Sequence, residues 1–344
     1  MNRNNCFDFL RFFFAFDILL AHLCELSQSK SLAFLSHFSN SSIAVKGFFI
    51  ISGFLVSKSF TTTPSLKEYF VKRVKRILPA YVVVVFFAAF FLVFSSRYSF
   101  IQYFSDPGVY KYLGWNLIFL NFMTPCLPGV FENNLMCAVN GALWTLKVEE
   151  GFYVVLPFIF YLIRKTKKAI SILLALYILS ILYWFVMDFY LNKPLLAKQL
   201  PGYLSYFITG IFLFLNFDFI LRYKKTALIL SIGLLTVSYF SNFQIDFLYP
   251  AAFGTTVIIV AYSIPCFDNF GKYGDFTYGL YIYHFPIIQL FRHYDLFEKY
   301  NPILMAITVI VLTFFFAVFS WFFIEKRFLD RYKKSNVNVI MAQC

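Results

Sequence analysis

Charge is scarce in this sequence. Asp, Glu, Lys and Arg make up 14% of its 344 residues and 60% are hydrophobic, a balance that excludes an ordinary soluble globular domain. Six Cys over this length are too few for a dense disulfide scaffold. An apolar run follows the basic N-terminal residues, but no small-residue cleavage pattern closes it, so it reads as a retained helix and not a removed signal peptide. No internal repeat, low-complexity tract or soluble domain breaks the chain. The expectation is one membrane domain over residues 1–334 and a short cytoplasmic tail, 335–344.

What the sequence has in quantity is aromatic and aliphatic bulk. The 50 Phe and 24 Tyr suit a bilayer interior and its interfaces. Apolar stretches able to cross roughly 30 Å of hydrocarbon fall near residues 7–27, 43–60, 79–96, 145–163, 169–187, 201–218, 226–241, 247–264, 276–293 and 303–324. The fold class expected is therefore all-α, a polytopic bundle of about ten transmembrane helices with both termini on one side. Charge orients it. The segments placed inside carry nineteen Lys and Arg, including Arg3, the run Lys67, Lys72, Arg73, Lys75 and Arg76, and Arg331, Lys333 and Lys334 near the end. The outer segments carry eight: Lys30, Lys46, Arg97, Lys111, Lys193, Lys198, Arg292 and Lys299. The positive-inside rule then makes both termini cytoplasmic, and the net charge of +13 needs no nucleic-acid partner to explain it.

Two connections differ from simple turns. Inside, residues 61–78 form a basic segment leading to Pro79, which is expected in the first turn of the third helix, where proline is tolerated. Outside, residues 97–144 hold Asp106, Pro107, Gly108, Pro125, Pro128 and Gly129, a turn-rich stretch long enough to cover the mouth of a bundle. Cys126 and Cys137 lie in it. On an oxidising outer face they could pair, and two free thiols in an apolar loop fit the sequence equally well.

Ionisable groups within spans are costly, so they mark candidate sites. Arg11 and His22 are separated by about three helical turns, which places them within roughly 20° of each other and about 16 Å apart along the first helix. Asp8 is close enough to orient Arg11, whereas Asp17 projects roughly 140° from His22 and needs another partner. In the fourth span Glu149 and Glu150 enter at the depth of His22, with Lys147 spaced to neutralise Glu150, so Glu149 is the better candidate for the interior. A His and a carboxylate at matched depth suit general base catalysis, and a structural ion pair is the competing explanation. In the ninth span Tyr281 and His284 share a face, and Pro286 frees a backbone carbonyl that either could satisfy. Arg73 and Arg76 would be neighbours on a helix; such a pair suits phosphates, although inside-facing topology alone would also produce it. Gly47, Ser52 and Gly53 in GFFIISGF permit close helix packing or backbone approach to a ligand.

Taken in order, Arg11 to His22, GFFIISGF at 47–54, Arg73 and Arg76 before Pro79, WTLKVEEGFY at 144–153 and TYGLYIYH at 277–284 resemble the membrane acyltransferase family three over most of the chain. Thr145, Lys147 and Gly151 stand where that family more often has Ser, a small residue and Gln, and Arg327 stands where a proline commonly follows the Glu325 region. The resemblance implies an O-acetyltransferase of the bacterial cytoplasmic (inner) membrane. It would take acetyl coenzyme A (acetyl-CoA) as a cytoplasmic donor substrate, with no permanently bound cofactor and no metal. The acceptor implied is a glycan or lipid-linked sugar outside the cytoplasm, as in O-antigen, capsule or another exopolysaccharide. It implies His22 as the base at the acceptor and Arg73 and Arg76 near the donor phosphates; Glu149, at matched depth, is the second catalytic candidate, as the polar neighbour that orients His22, and Arg11, Trp144, Tyr281 and His284 are the further donor- or substrate-binding candidates. The chain ends soon after the tenth span, so the hydrolase-like outer domain of some relatives is not expected. The rival reading is a transporter or flippase of a glycan precursor. Ten helices would suit it, but the lack of a repeat and of paired interrupted helices speaks against it.

Overall fold

The computed structural model describes residues 5–240 and 247–329. Arg3, Arg331, Lys333, Lys334 and the expected tail at 335–344 lie outside the described residues. Those described are almost wholly helical, and their one β pairing is an isolated bridge between Cys126 and Ala138. In chain order the helices are α1 (Phe7–Ser27), α2 (Ser41–Thr62), α3 (Leu66–Phe91), α4 (Phe100–Ser105), α5 (Pro107–Leu117) and α6 (Trp144–Thr166). There follow α7 (Ala169–Phe185), α8 (Leu200–Leu215), α9 (Lys224–Phe240), α10 (Tyr249–Ala261), α11 (Thr277–His293) and α12 (Pro302–Ser320). Each of the ten apolar stretches is thus helical. Four segments are long and apolar enough to cross a membrane: Ser41–Thr62, Leu66–Ser95, Ala169–Tyr190 and Pro302–Phe328. The pair Tyr249–Ala261 and Pro265–Lys272, bent by 71°, makes a fifth if it is counted as one span.

The third helix departs from expectation. It starts at Leu66 and carries Pro79 in its interior, not in its first turn. Residues 66–78 contain no Gly or Pro and are rich in Leu, Lys, Arg and Glu, all good helix formers, so the helix begins within the basic segment. Pro79 then withholds one N–H from the carbonyl four residues back without ending the helix. Arg73 and Arg76 accordingly share a regular helix.

The described residues form two compact units. The first draws on 5–14, 42–69, 148–240 and 247–273. There α8 packs against α7 and α10, and α10 against α9. Small residues set the crossing of α2 and α8. A Cβ on Gly53 would lie 2.2 Å from the Phe207 carbonyl oxygen, and one on Gly210 would lie 2.2 Å from that of Ile50. The two backbones touch, as helices in lipid do where small residues meet. The start of α1 joins this unit through Phe7, whose ring lies 5.4 Å from that of Phe54, and Phe9, stacked at 3.8 Å on Phe267.

The second unit draws on 15–41, 70–147 and 274–329. Its main helix pair is α11 and α12, again in close approach: a Cβ on Gly279 would meet Ala317 Cα at 2.6 Å. The connection at 97–144 is more ordered than its turn residues suggest. Ser99 and Gln102 cap α4 reciprocally, and Asp106 caps α5 by accepting the Gly108 N–H at 2.7 Å, with Pro107 in the first position. Burial pushes the phenols of Tyr103 and Tyr112 up, so they stay protonated, and Tyr103 donates to the Ala89 carbonyl at 2.8 Å. Cys126 and Cys137 are joined by a disulfide, with Cα atoms 5.3 Å apart, which decides between the two alternatives left by the sequence.

Two outcomes follow from this packing. Gly210→Val should lower the stability of the detergent-solubilised protein by about 1–3 kcal/mol, because the side chain would strike backbone and not a movable side-chain end. A thermal midpoint equal to the wild type would refute the close crossing. Replacing Cys126 and Cys137 together by Ser should cost about 2–3 kcal/mol through the freed loop. Alkylation before and after reduction should show two protected thiols in the wild type only.

Candidate functional site

The described residues bring two of the four histidines of the sequence together in the second unit. Nδ1 of His22, on α1, lies 2.8 Å from Nε2 of His284, on α11, and the rings are nearly parallel with centroids 5.1 Å apart. His284 is fully buried and His22 half-buried. The direction of the bond follows from the next contact. Nδ1 of His284 is 3.0 Å from the Leu280 carbonyl oxygen, which can only accept, so Nδ1 carries the hydrogen and Nε2 of a neutral ring holds the lone pair. Nδ1 of His22 therefore donates to it. The lone pair of His22 is left on Nε2, which has no hydrogen-bond partner among the described residues. That is the tautomer a general base needs.

The helix that supplies His284 is interrupted chemically two residues later. Pro286 has no N–H to give the Ile282 carbonyl. The sequence suggested Tyr281 or His284 as the substitute donor, and neither serves. Nδ2 of Asn140 donates to Ile282 O at 2.8 Å. His284 is occupied with Leu280, and Tyr281 donates to Ala142 O at 2.7 Å while its hydroxyl also bonds Thr145 Oγ1. Their spacing explains the difference: Ile282 lies between them on α11, so the side chains that flank it leave the helix in other directions, and an approaching loop reaches the carbonyl instead. Asn140 Oδ1 is left buried without a partner, a state that costs roughly 1–3 kcal/mol.

The same loop grips α11 again about two turns along. Gln289, fully buried, donates to the carbonyls of Met136 and Ala138 at 2.7 and 2.8 Å, and Asn134 Nδ2 donates to Gln289 O and Oε1, both at 2.9 Å. Gly141 completes the fit. A Cβ there would lie 2.6 Å from Cζ of Phe285, whose ring stands edge-on to His22 with centroids 5.3 Å apart. Asn140 and Gln289 were not singled out from sequence. Gln289 did leave a signal, as a polar side chain inside an expected span, whereas Asn140 sits among loop residues of similar polarity.

The other expected residues take these places. Trp144 is half-buried as the first residue of α6. Arg76, on α3, reaches Asp275 with Nη2 2.5 Å from Oδ2, both side chains largely covered at 22% and 12% exposure. Asp275 also accepts the Thr277 N–H at 3.3 Å, so it ties α3 to the start of α11. Arg73 lies three residues before Arg76 on the same helix. Asp17 has the separate partner it required, the Asn40 N–H at 3.2 Å. In the first unit, Glu149 accepts from Tyr153 Oη and, at 3.5 Å, from Ser52 Oγ of GFFIISGF. Arg11 Nη1 lies 3.9 Å from Asp8 Oδ1, the pairing expected from their spacing.

A family model described as "Acyltransferase domain" matches residues 4–324. The chain belongs to the acyltransferase 3 family. Its relatives include an "O-acetyl transferase" of Shigella phage Sf6, 29% identical over 340 residues, a match that covers 96% of this chain and 98% of that protein. "Nodulation protein 10" of Rhizobium leguminosarum bv. viciae is 25% identical over 84% of this chain and 83% of its own length. The O-acetyltransferase OatA of Staphylococcus aureus is 24% identical over 82% of this chain and 52% of that longer protein. No solved structure matches. The protein is thus an acyltransferase, as its motifs implied.

In an acyltransferase 3 protein arranged this way, Gly141→Ala should move Phe285 against His22. If the pair takes part in acyl transfer, the rate should fall about tenfold, since displacing a reacting group by a fraction of an ångström is costly. Initial rates in membranes containing equal amounts of protein would check it, and an unchanged rate would remove Gly141 from the setting of the histidine pair.

Proposed function

We propose that the protein is a membrane O-acetyltransferase that moves an acetyl group from cytoplasmic acetyl-CoA to a hydroxyl of an extracytoplasmic sugar in O-antigen, capsule or another exopolysaccharide. The observation that carries the chemistry is the 2.8 Å bond from His22 to His284, which leaves a lone pair on His22 Nε2. In the reaction the sugar oxygen attacks the thioester carbonyl carbon and Nε2 takes the hydroxyl proton. The C–O bond forms, the C–S bond breaks, and the coenzyme thiolate leaves and takes up the proton that His22 removed, which restores the lone pair on Nε2. The imidazolium formed on His22 keeps its Nδ1 hydrogen bonded to neutral His284, which holds the ring in place through the step.

In this reading His284 takes the orienting role, and Glu149 is a positioning residue that holds Tyr153 and Ser52 in the first unit. Arg73 and Arg76 face the donor phosphates from the basic start of α3, with Arg76 steadied by Asp275. Arg11 lies along the donor path, Trp144 and Tyr281 at the acceptor side. Residues 1–334 act as one acyltransferase domain with about ten spans and cytoplasmic termini, in the bacterial inner membrane. Two observations support that orientation. The excess of basic residues falls on the segments taken as inner, and the disulfide between Cys126 and Cys137 belongs in an oxidising compartment.

Vesicles carrying the full chain, given radiolabelled acetyl-CoA and the envelope glycan fraction of cells that lack the protein, should transfer label to glycan. His22→Ala should abolish transfer while the protein stays in the membrane, and His284→Ala should lower it by roughly a hundredfold. Full transfer by His22→Ala would sink the base assignment. Glycan movement with no labelled glycan would favour the transporter instead.

A further inference from the structure

Pro286 creates a need and Asn140 meets it. Along α11 the Ile282 carbonyl is the group that proline deprives of its helical N–H, and it lies two residues before His284. In lipid no water stands ready to replace that N–H, so a buried carbonyl takes a protein donor or stays bare. Asn140 Nδ2 supplies the donor at 2.8 Å. The choice fixes the amide: Ile282 O can only accept, so Nδ2 must face it and Oδ1 is left buried without a partner. A carboxamide placed at such a cost is held there for the carbonyl it satisfies.

We propose that Asn140 is a positioning residue for acyl transfer, which sets how far His284 reaches toward His22 by bonding the carbonyl freed by Pro286. The inference rests on the reading of His22 as the base. Loop groups hold α11 on both sides of His284: Asn140 on Ile282, Ala142 on Tyr281, and Asn134, Met136 and Ala138 on Gln289. The Asn140 attachment is the one made to the backbone of the proline-weakened turn. Losing it lets that turn open, carries the His284 ring away from Nδ1 of His22, and frees His22 to adopt the other tautomer. Gly141, next in sequence, transmits the same displacement through Phe285, whose ring stands edge-on to His22. A disulfide from Cys126 to Cys137 holds the base of the loop.

The test uses the proline as its own control. In full-length protein in membranes, Asn140→Leu keeps the volume and removes the donor, and Pro286→Ala restores an N–H to Ile282. With radiolabelled acetyl-CoA and the envelope glycan fraction as probes, Asn140→Leu should lower kcat roughly ten- to a hundredfold with KM for acetyl-CoA within about twofold of wild type. In the Pro286→Ala background the same change should lower kcat less than about threefold, because the backbone now satisfies the carbonyl. Wild-type turnover by Asn140→Leu overturns the proposal. So does an equal loss in both backgrounds. If Asn140→Leu alone does not accumulate in the membrane, the double variant decides: active protein supports the proposal and inactive, accumulated protein refutes it. Failure of the base assignment is seen separately, as full transfer by His22→Ala.

Discussion

A carbonyl without its helical N–H is a small defect in water and a large one in lipid, and the arrangement around His284 depends on how the Ile282 carbonyl is satisfied. The span that holds His284 contains Pro286, so α11 cannot complete its own hydrogen bonds. Its repair brings the loop at 134–142 onto the helix, and with the loop come Asn140, Gly141 and the carbonyls that receive Tyr281 and Gln289. The histidine pair lies on the turn that this loop contacts. A fully bonded straight helix would have no reason to accept the loop at this turn.

The chemistry follows from a chain of single-direction bonds. Leu280 O accepts only, which fixes His284, which fixes His22. Each link is an ordinary hydrogen bond, and their order leaves one lone pair, on His22 Nε2, without a hydrogen-bond partner among the described residues. A neutral histidine as the orienting group differs from a carboxylate in one respect: it brings no net charge into a region that lipid and apolar side chains surround. A buried carboxylate there would need its own compensation. The proposed acyl transfer needs a base held in one tautomer, which two imidazoles and a backbone carbonyl would supply.

Small residues do comparable work in both units by letting backbones touch. Gly53 against Gly210 and Gly279 against Ala317 bring helices to separations at which a single methyl group would strike backbone. In a bilayer such contacts replace the hydrophobic drive that packs helices in water. They also explain why GFFIISGF is both a packing motif and the source of Ser52, the hydroxyl near Glu149.

The helices themselves were legible because lipid imposes a length and an apolar composition that a sequence displays openly. All ten stretches are helical, and the Arg11 to Asp8 spacing predicted their pairing. The beginning of α3 was misread because proline was treated as a boundary, whereas helix-forming residues upstream of Pro79 outweighed one missing hydrogen bond. Family membership was likewise written in the order of short motifs. Helical geometry on one chain could not say what His22 faces. Its partner His284 is 262 residues away, and Asn140, Asp275 and Gln289 acquire meaning only through groups that the chain brings from elsewhere. The sequence by itself determined that this protein is a helical membrane protein with ionisable residues inside its apolar stretches, since period and hydropathy are local properties, and its short motifs carried the family resemblance. Tertiary structure alone decided which of those residues meet and which nitrogen is left basic, since hydrogen bonds are satisfied between segments and their direction depends on the partner.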